Sequence, residues 1–271
     1  MTEHAAKTGA ADGTSAQAQL CAIRYDNVAF SYKPGAPFIE GLSARIESGS
    51  VTSIIGPNGC GKSTLVKLAS GLLRPASGRV EVKGRDTGSL SARERARELA
   101  VLAQSSRVPP VNVEALVALG RHPHTGMGGR LGPRDRERVE AALERAGVAR
   151  FRDHDVRKLS GGERQRAFVA MTLAQDTDLI VLDEPTTYLD IGQKNQVMEL
   201  VRDLNVQGRT ILAVLHDLPL AFMYSDYVAL MESGKLTAFG TPDEVREPAA
   251  KAFGVKQALV TLEGREQIIF Y

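Results

Sequence analysis

Cysteine is scarce in this chain of 271 residues, which contains only Cys21 and Cys60. Neither residue stands at the spacing of a Cys/His metal site. A disulfide scaffold is therefore not expected, and a reducing compartment fits the composition better. Long hydrophobic runs are lacking as well. Segments such as 179–182 and 211–215 have the length of buried strands, whereas a membrane span needs roughly 20 apolar residues. If this protein serves a membrane, another chain must cross it.

Neither positive nor negative charge is in large excess. The 34 lysines and arginines nearly balance the 32 aspartates and glutamates, and the net charge of +2 is too small to indicate a nucleic-acid partner. Residues 1–20 contain an early acidic residue and no apolar stretch of the kind found in secretory signals. Their content of Ala, Gly, Thr and Gln predicts a disordered tail. The apolar content of 43% is that of a globular protein.

Hydrophobic patterning predicts two kinds of sheet. Apolar and polar residues alternate at 23–32 and 42–48, which predicts an antiparallel pair of strands. Near-continuous apolar runs at 51–55, 179–182 and 211–215 are separated by helical patterns. Such runs indicate a parallel sheet with helices on both faces.

A change of composition marks an insertion into this sheet. From residue 91 to 157, arginine, alanine, glutamate and leucine recur with helical periodicity, which predicts a small helical subdomain. Its clearest helix is predicted at 133–147, which begins with proline and ends with glycine. A late hairpin is predicted at 227–242, whereas residues 251–271 show no interpretable pattern.

A glycine-rich loop, "GPNGCGKST" at 56–64, follows the first buried run and precedes a helical pattern. It matches the phosphate-binding pattern G-x-x-x-x-G-K-[ST] in full. Its glycines allow backbone N–H groups to surround a phosphate, Lys62 supplies a cation, and the Ser63 hydroxyl is a ligand for Mg²⁺. The predicted ATP-binding residues of this loop are Gly56, Asn58, Gly59, Cys60, Gly61, Lys62, Ser63 and Thr64.

These patterns together predict the fold class. We expect an α/β fold with a parallel sheet, an N-terminal antiparallel β-subdomain and an inserted α-helical subdomain. The phosphate loop resembles that of P-loop NTPases, which implies a RecA-like core for this sheet. Cys60 lies among phosphate-binding N–H groups at a helix N-terminus, so we expect its thiolate to be favoured and reactive.

Two acidic residues follow the apolar run of "LIVLDEP" at 179–185. Asp183 is therefore predicted at the carboxyl end of a buried strand, where ligands collect in α/β sheets. A carboxylate at that place can hold Mg²⁺. Glu184 is the candidate base that orients or deprotonates an attacking water molecule.

The heptad "LSGGERQ" at 159–165, together with the phosphate loop, "LIVLDEP", "TTYLD" and "VLHD", resembles the ATP-binding subunit of ABC transporters over roughly residues 23–245. Ser160, Gly161, Gly162 and Gln165 would form a second anion-binding element. The resemblance implies that this element meets the γ-phosphate held by the other subunit. A second copy of the chain is therefore an expected partner.

The same resemblance implies roles for further residues. Tyr32 resembles the aromatic residue that stacks on adenine, and Asp190 resembles the aspartate at the dimer seam. Gln104 resembles the glutamine that contacts Mg²⁺ and the attacking water. His216 resembles the switch histidine, which holds Glu184 and the water in line with the γ-phosphate.

Segments at 117–143 and 186–194 resemble those of ferric-siderophore, haem and cobalamin importers. The resemblance implies an ATPase that energises import of a ferric siderophore, with haem or cobalamin as alternative cargo. Its partners would be an integral membrane permease and, indirectly, an extracytoplasmic binding protein, and it would lie peripherally at the cytoplasmic face of the inner membrane. The expected division is a tail at 1–20, an ATPase domain at 21–245 and a C-terminal extension at 246–271. Within the domain, 21–90 and 158–245 would form the core and 91–157 the helical subdomain.

Other functions remain open on the sequence alone. A soluble ABC ATPase of iron–sulfur assembly is one alternative, and a nucleotide-binding scaffold without hydrolysis is another, although Glu184 and His216 argue against the scaffold. His122 and His124 have no further candidate metal ligands beside them, so a docking surface is favoured there over a metal site.

Overall fold

An antiparallel sheet begins the described part of the chain. The computed structural model describes residues 21–103, 108–126, 129–262 and 265–271, so the predicted tail at 1–20 lies outside the described residues. Four strands are paired in the order β2-β1-β4-β5: β1 (Cys21–Phe30), β2 (Ile39–Glu47), β4 (Ser77–Val82) and β5 (Arg85–Asp86). Tyr25 faces Ala44 in the antiparallel pairing of β1 with β2. The predicted antiparallel strands are confirmed.

A six-stranded sheet forms the centre of the molecule. Its order is β10-β9-β3-β8-β7-β6, with strands β3 (Val51–Ile55), β6 (Leu99–Leu102), β7 (Leu179–Asp183), β8 (Thr210–Val214), β9 (Tyr227–Glu232) and β10 (Lys235–Gly240). The strands from β9 to β6 run parallel, and β10 returns antiparallel in the predicted hairpin. Every residue of β3, β7 and β8 is buried, which explains their apolar runs. The carboxyl ends of these three strands meet at one edge.

Helices and the antiparallel sheet cover the two faces of this central sheet. Alternate residues of β7 enter different cores: Leu179 and Val181 pack toward the antiparallel sheet and helix α1 (Lys62–Ala69). Ile180 and Leu182 pack on the other face, which includes residues of α6 (Ile191–Val206), α7 (Leu218–Tyr224) and α8 (Pro242–Phe253). The short helix α2 (Ala92–Glu98) precedes β6. None of the described helices is both long and apolar enough to cross a membrane.

A third hydrophobic core belongs to the inserted helices. It joins α3 (Val113–Leu119), α4 (Pro133–Arg145), α5 (Gly161–Ala174) and the short 3₁₀ turns Ala149–Phe151 and Val156–Lys158. The helix predicted at 133–147 is confirmed, with Gly147 in the left-handed conformation just beyond its end. Asp176 ties the insertion to the central sheet, because its carboxylate contacts Arg138 at 3.1 Å and Arg209 at 2.9 Å.

The C-terminal residues form a hairpin that sequence patterning did not predict. Strands β11 (Gln257–Leu262) and β12 (Arg265–Phe270) pair with each other, and Phe270 packs edge-on against Phe222 of α7 at 4.8 Å. Residue 245, the expected end of the ATPase domain, lies inside α8.

Candidate active site

The phosphate loop joins the end of β3 to the start of α1. Gly56 has φ 148° and Gly61 has φ 114°, conformations that favour glycine. A Cβ atom on Gly56 would lie 2.1 Å from the carbonyl oxygen of Met231, so only glycine fits there. Asn58 is exposed at the tip of the loop. The backbone turn and the helix N-terminus that follows it are the features that bind phosphate.

The ammonium group of Lys62 lies over this loop. Lys62 is buried, and its Nζ donates to the carbonyl oxygens of Gly56 at 2.7 Å and Pro57 at 3.0 Å. These two bonds satisfy a buried charge that would otherwise be costly. Phosphate oxygens can replace the carbonyl oxygens as acceptors, so the arrangement fits an anionic substrate.

Ser63 and Asp183 bring two oxygen ligands together beside Lys62. The Ser63 hydroxyl donates to Oδ1 of Asp183 at 3.1 Å, and Asp183 ends strand β7 as predicted. Burial raises the pKa of the Asp183 carboxyl; the hydrogen bond from Ser63 lowers it, and the charge of Glu184 raises it further. Within the described residues no cluster of three His, Cys, Asp or Glu could enclose a metal. One hydroxyl and one carboxylate suit Mg²⁺, which takes its remaining oxygens from water and phosphate.

Glu184 and His216 meet at the same edge of the sheet. Nε2 of His216 lies 2.5 Å from Oε1 of Glu184, and the Thr187 hydroxyl donates to Oε2 of Glu184 at 3.2 Å. Glu184 has φ 57°, an uncommon conformation for a residue with a side chain. The backbone N–H of Glu184 donates to Val214 at 3.2 Å, which fixes this turn against the end of β8. The carboxylate is therefore held in a defined orientation.

Tyr32 stands on the outer side of the phosphate loop. Its hydroxyl is hydrogen-bonded to that of Thr64 at 2.8 Å, and its ring packs edge-on against Phe30 and Phe38. Tyr32 is 54% exposed, so ring surface remains accessible for stacking on a base.

The signature heptad forms a second group of predicted residues. Ser160 caps α5, accepting a bond from the N–H of Glu163 while its hydroxyl donates to the Glu163 carboxylate at 2.8 Å. A Cβ atom on Gly161 would lie 3.6 Å from the Cβ of Tyr188. The start of helix α5 therefore lies against the "TTYLD" segment, and Gln165 lies further along the same helix. Asp190, the last residue of that segment, caps α6.

Cys60 requires a correction. It is buried at 4% exposure inside the loop, and burial raises the pKa of its thiol. The charge of Lys62 and neighbouring backbone N–H groups lower that pKa by less. The expectation of a favoured, reactive thiolate is therefore wrong, because desolvation of the charged form exceeds the effect of the helix N-terminus.

Two further predictions concern Gln104 and the histidine pair. Gln104 lies outside the described residues. Nε2 of His124 is hydrogen-bonded to the carbonyl oxygen of Gln175 at 2.8 Å, whereas His122 is exposed. Neither histidine belongs to a metal-binding group among the residues that the structure describes.

Sequence reasoning missed a cavity beside the Glu184–His216 pair. Its volume is about 310 Å³, and Thr187, Tyr188, Lys194 and Asp217 line it together with that pair. Lys194 follows Asp190 by one helical turn and Asp217 follows His216 directly. In the sequence, only this proximity to Asp190 and His216 could have indicated that Lys194 and Asp217 lie at the site.

A phosphate loop with a buried lysine lies at the carboxyl edge of a parallel sheet, beside the Ser63–Asp183 and Glu184–His216 pairs. This is the arrangement of a P-loop nucleoside triphosphatase. The sequence pattern of the ABC transporter family matches residues 39–187. The iron(3+)-hydroxamate import ATP-binding protein FhuC of Bacillus subtilis is 40% identical over 227 residues, which cover 82% of this chain and 84% of that protein. The ferric enterobactin transport ATP-binding protein FepC of Escherichia coli is 43% identical over 208 residues, covering 76% of this chain and 77% of that protein.

Solved structures agree with this assignment. The dimeric structure of a bacterial ABC transporter cassette aligns with a TM-score of 0.74 at 27% identity, over 81% of this chain and 98% of that one. The chain belongs to the ABC transporter family, and it is an ATP-binding, ATP-hydrolysing domain of that family.

Proposed function

We propose that this chain is the ATPase subunit that energises import of a ferric siderophore across the cytoplasmic membrane. The 2.5 Å contact between His216 and Glu184, beside the Ser63–Asp183 pair, carries the hydrolytic part of this proposal. Relatives named for import of iron hydroxamate, enterobactin and petrobactin support the cargo. A relative named for cobalamin import supports the alternative cargo.

The residues at the sheet edge divide the chemistry among them. Lys62 exchanges its carbonyl partners for the β- and γ-phosphates of ATP. Ser63 and Asp183 would hold Mg²⁺, which would neutralise phosphate charge when bound. Glu184 orients a water molecule and takes up its proton as the water oxygen bonds to the γ-phosphorus and the bond to the ADP oxygen breaks. His216 keeps the Glu184 carboxylate in line for that step.

A second copy of the chain completes each site in this proposal. Ser160, Gly161 and Gly162 present a capped helix start, while the neighbouring Tyr188 and Ile191 are 87% and 79% exposed. Large apolar side chains so exposed beside an anion-binding element favour a seam with another subunit. Tyr32 would stack on adenine and Asp190 would lie in the seam.

The remaining partners follow from the importer assignment. Two copies would dock on a membrane permease at the cytoplasmic face of the inner membrane, with the helical subdomain at 91–157 nearest the permease. An extracytoplasmic binding protein would deliver the cargo from the other side.

Replacement of Glu184 by Gln tests the hydrolytic assignment. We expect Glu184→Gln to bind ATP, to lose turnover by about 10²–10⁴-fold, the usual range for a general base, and to accumulate as an ATP-bound dimer. Glu199→Gln, a change of an exposed glutamate on α6, is the matched control. Hydrolysis near the wild-type rate in Glu184→Gln would remove Glu184 from the role of base.

The cargo requires a separate experiment. The ATPase would be purified with the membrane protein that accompanies it, reconstituted with the cognate binding protein, and assayed with ferric hydroxamate, ferric catecholate, haem and cobalamin. We expect a ferric chelate, but neither haem nor cobalamin, to stimulate ATP hydrolysis. Stimulation only by haem or cobalamin, or co-purification with a soluble assembly partner, would overturn the siderophore assignment.

A further inference from the structure

An ion pair joins the starts of helices α6 and α7, next to the Glu184–His216 pair. Nζ of Lys194, in the first turn of α6, lies 3.0 Å from Oδ2 of Asp217, the capping residue of α7. The two side chains are 31% and 29% exposed and line the same cavity as Glu184 and His216. The pair therefore connects the segment that follows Asp190 with the segment that carries His216.

Each end of this connection is fixed to a residue of the proposed site. The backbone N–H of Lys194 donates to the carbonyl oxygen of Asp190 at 2.9 Å, so the lysine is anchored to the end of the "TTYLD" segment. On the other side, Asp217 follows His216 directly, and its Oδ1 accepts from the N–H of Leu220 at 3.4 Å.

The position of His216 depends on its two neighbours in the chain. Leu215 is fully buried and its N–H donates to Ile54 at 3.1 Å, which fixes the residue before the histidine. Asp217 fixes the residue after it, through the ion pair and the helix cap. The imidazole between them is 39% exposed, so, besides its contact with Glu184, these two anchors restrain its position.

We propose that Lys194 is a positioning residue for ATP hydrolysis: through Asp217 it holds the His216 ring against Glu184. This inference rests on the proposed function, because it requires Glu184 and His216 to act in hydrolysis. It also links the predicted dimer seam to the catalytic carboxylate, since a displacement of the segment ending at Asp190 moves Lys194 with it.

A positioning role and a purely stabilising role of this ion pair predict different effects on turnover and on the stability of the fold. Ion pairs as exposed as this one add little to the stability of a fold. Catalytic groups are far more sensitive to position, because a misplacement of about 1 Å can reduce a rate by about 10²-fold. Loss of the pair should therefore change turnover far more than it changes thermal stability.

Lys194→Met is the first test. We expect kcat for ATP to fall by about tenfold, within that positional range, with the KM for ATP and the melting temperature close to those of the wild type. Lys194→Arg, which keeps the charge, should restore most of the activity. Asp217→Asn breaks the same pair but keeps an oxygen to cap α7, and it should show the same loss. The double variant should be no slower than either single one, because both remove one interaction.

Arg202→Met is the matched control. Arg202 lies on the same helix and forms a comparable ion pair with Asp226 at 3.1 Å, away from the cavity. We expect it to leave kcat unchanged. Wild-type kcat in Lys194→Met, multiplicative losses in the double variant, or an equal loss in Arg202→Met would each overturn the proposal. If Glu184→Gln is inactive while Lys194→Met is fully active, only the positioning role fails; if Glu184→Gln is active, the proposed function itself fails.

Discussion

Ser63 and Asp183 are 120 positions apart in sequence, yet the hydroxyl of Ser63 donates to the carboxylate of Asp183 at 3.1 Å. The carboxylate is buried, and its pKa is raised mainly because burial disfavours its charge. Ionisation of this carboxyl is thus less favourable in the folded protein than in water until a cation arrives. The ionised carboxyl that Mg²⁺ binding requires is therefore unfavourable for the stability of the fold at this position.

Asp183→Asn should raise the stability of the fold while it abolishes ATP hydrolysis. A raised pKa in the folded state means that ionisation of Asp183 destabilises the fold at pH values above that pKa. Without nucleotide or Mg²⁺, the variant should therefore melt higher than the wild type at neutral pH. The difference should vanish below about pH 4, the ordinary Asp pKa, where the group is protonated in both states. The variant should also lose ATP hydrolysis.

Thermal unfolding of both proteins across the acid range measures this effect. Asp203→Asn, a change of an exposed aspartate on α6, serves as the comparison and should show no such gain. A lower melting temperature for Asp183→Asn at neutral pH would contradict the expectation.

Lys62→Ala should weaken nucleotide binding. The ammonium group is the buried cation of the phosphate loop, and charge-assisted hydrogen bonds of this kind contribute about 1.5–3 kcal/mol, so ATP affinity should fall by roughly tenfold to a hundredfold. Titration calorimetry with ATP measures the loss. Lys67→Ala, in the same helix but exposed, should keep the wild-type affinity; an unchanged affinity in Lys62→Ala would refute the assignment.

Cys60 should react slowly with thiol reagents in the folded protein. Its raised pKa reduces the thiolate fraction at a given pH, and its burial limits access. In a Cys21→Ala background, maleimide labelling near neutral pH should be several-fold slower than that of a free thiol, and unfolding in urea should remove the difference. Labelling of the native protein at the free-thiol rate would restore the reactive-thiolate interpretation.

Local patterns predicted those parts of the site that are continuous in sequence. The phosphate loop, the strand ending at Asp183 and the helix beginning at Pro133 are each specified by neighbouring residues, so their structures were predictable. The pairing of Lys194 with Asp217 was not, because it depends on how α6 and α7 pack together. Cys60 failed for the same reason: its helix-terminus environment is local, whereas its burial comes from the whole fold. The C-terminal hairpin likewise packs its Phe270 against Phe222, a contact between distant parts of the chain.

The order of the central sheet has a consequence for biosynthesis. Strand β3, which carries the phosphate loop at its end, lies between β8 and β9, and both neighbours come from beyond residue 209. As the chain leaves the ribosome, this apolar segment therefore has no partner on either side until most of the polypeptide has been translated. Its two open edges are sites for aggregation during that interval, so the nascent protein should depend on chaperone protection until β8 and β9 emerge.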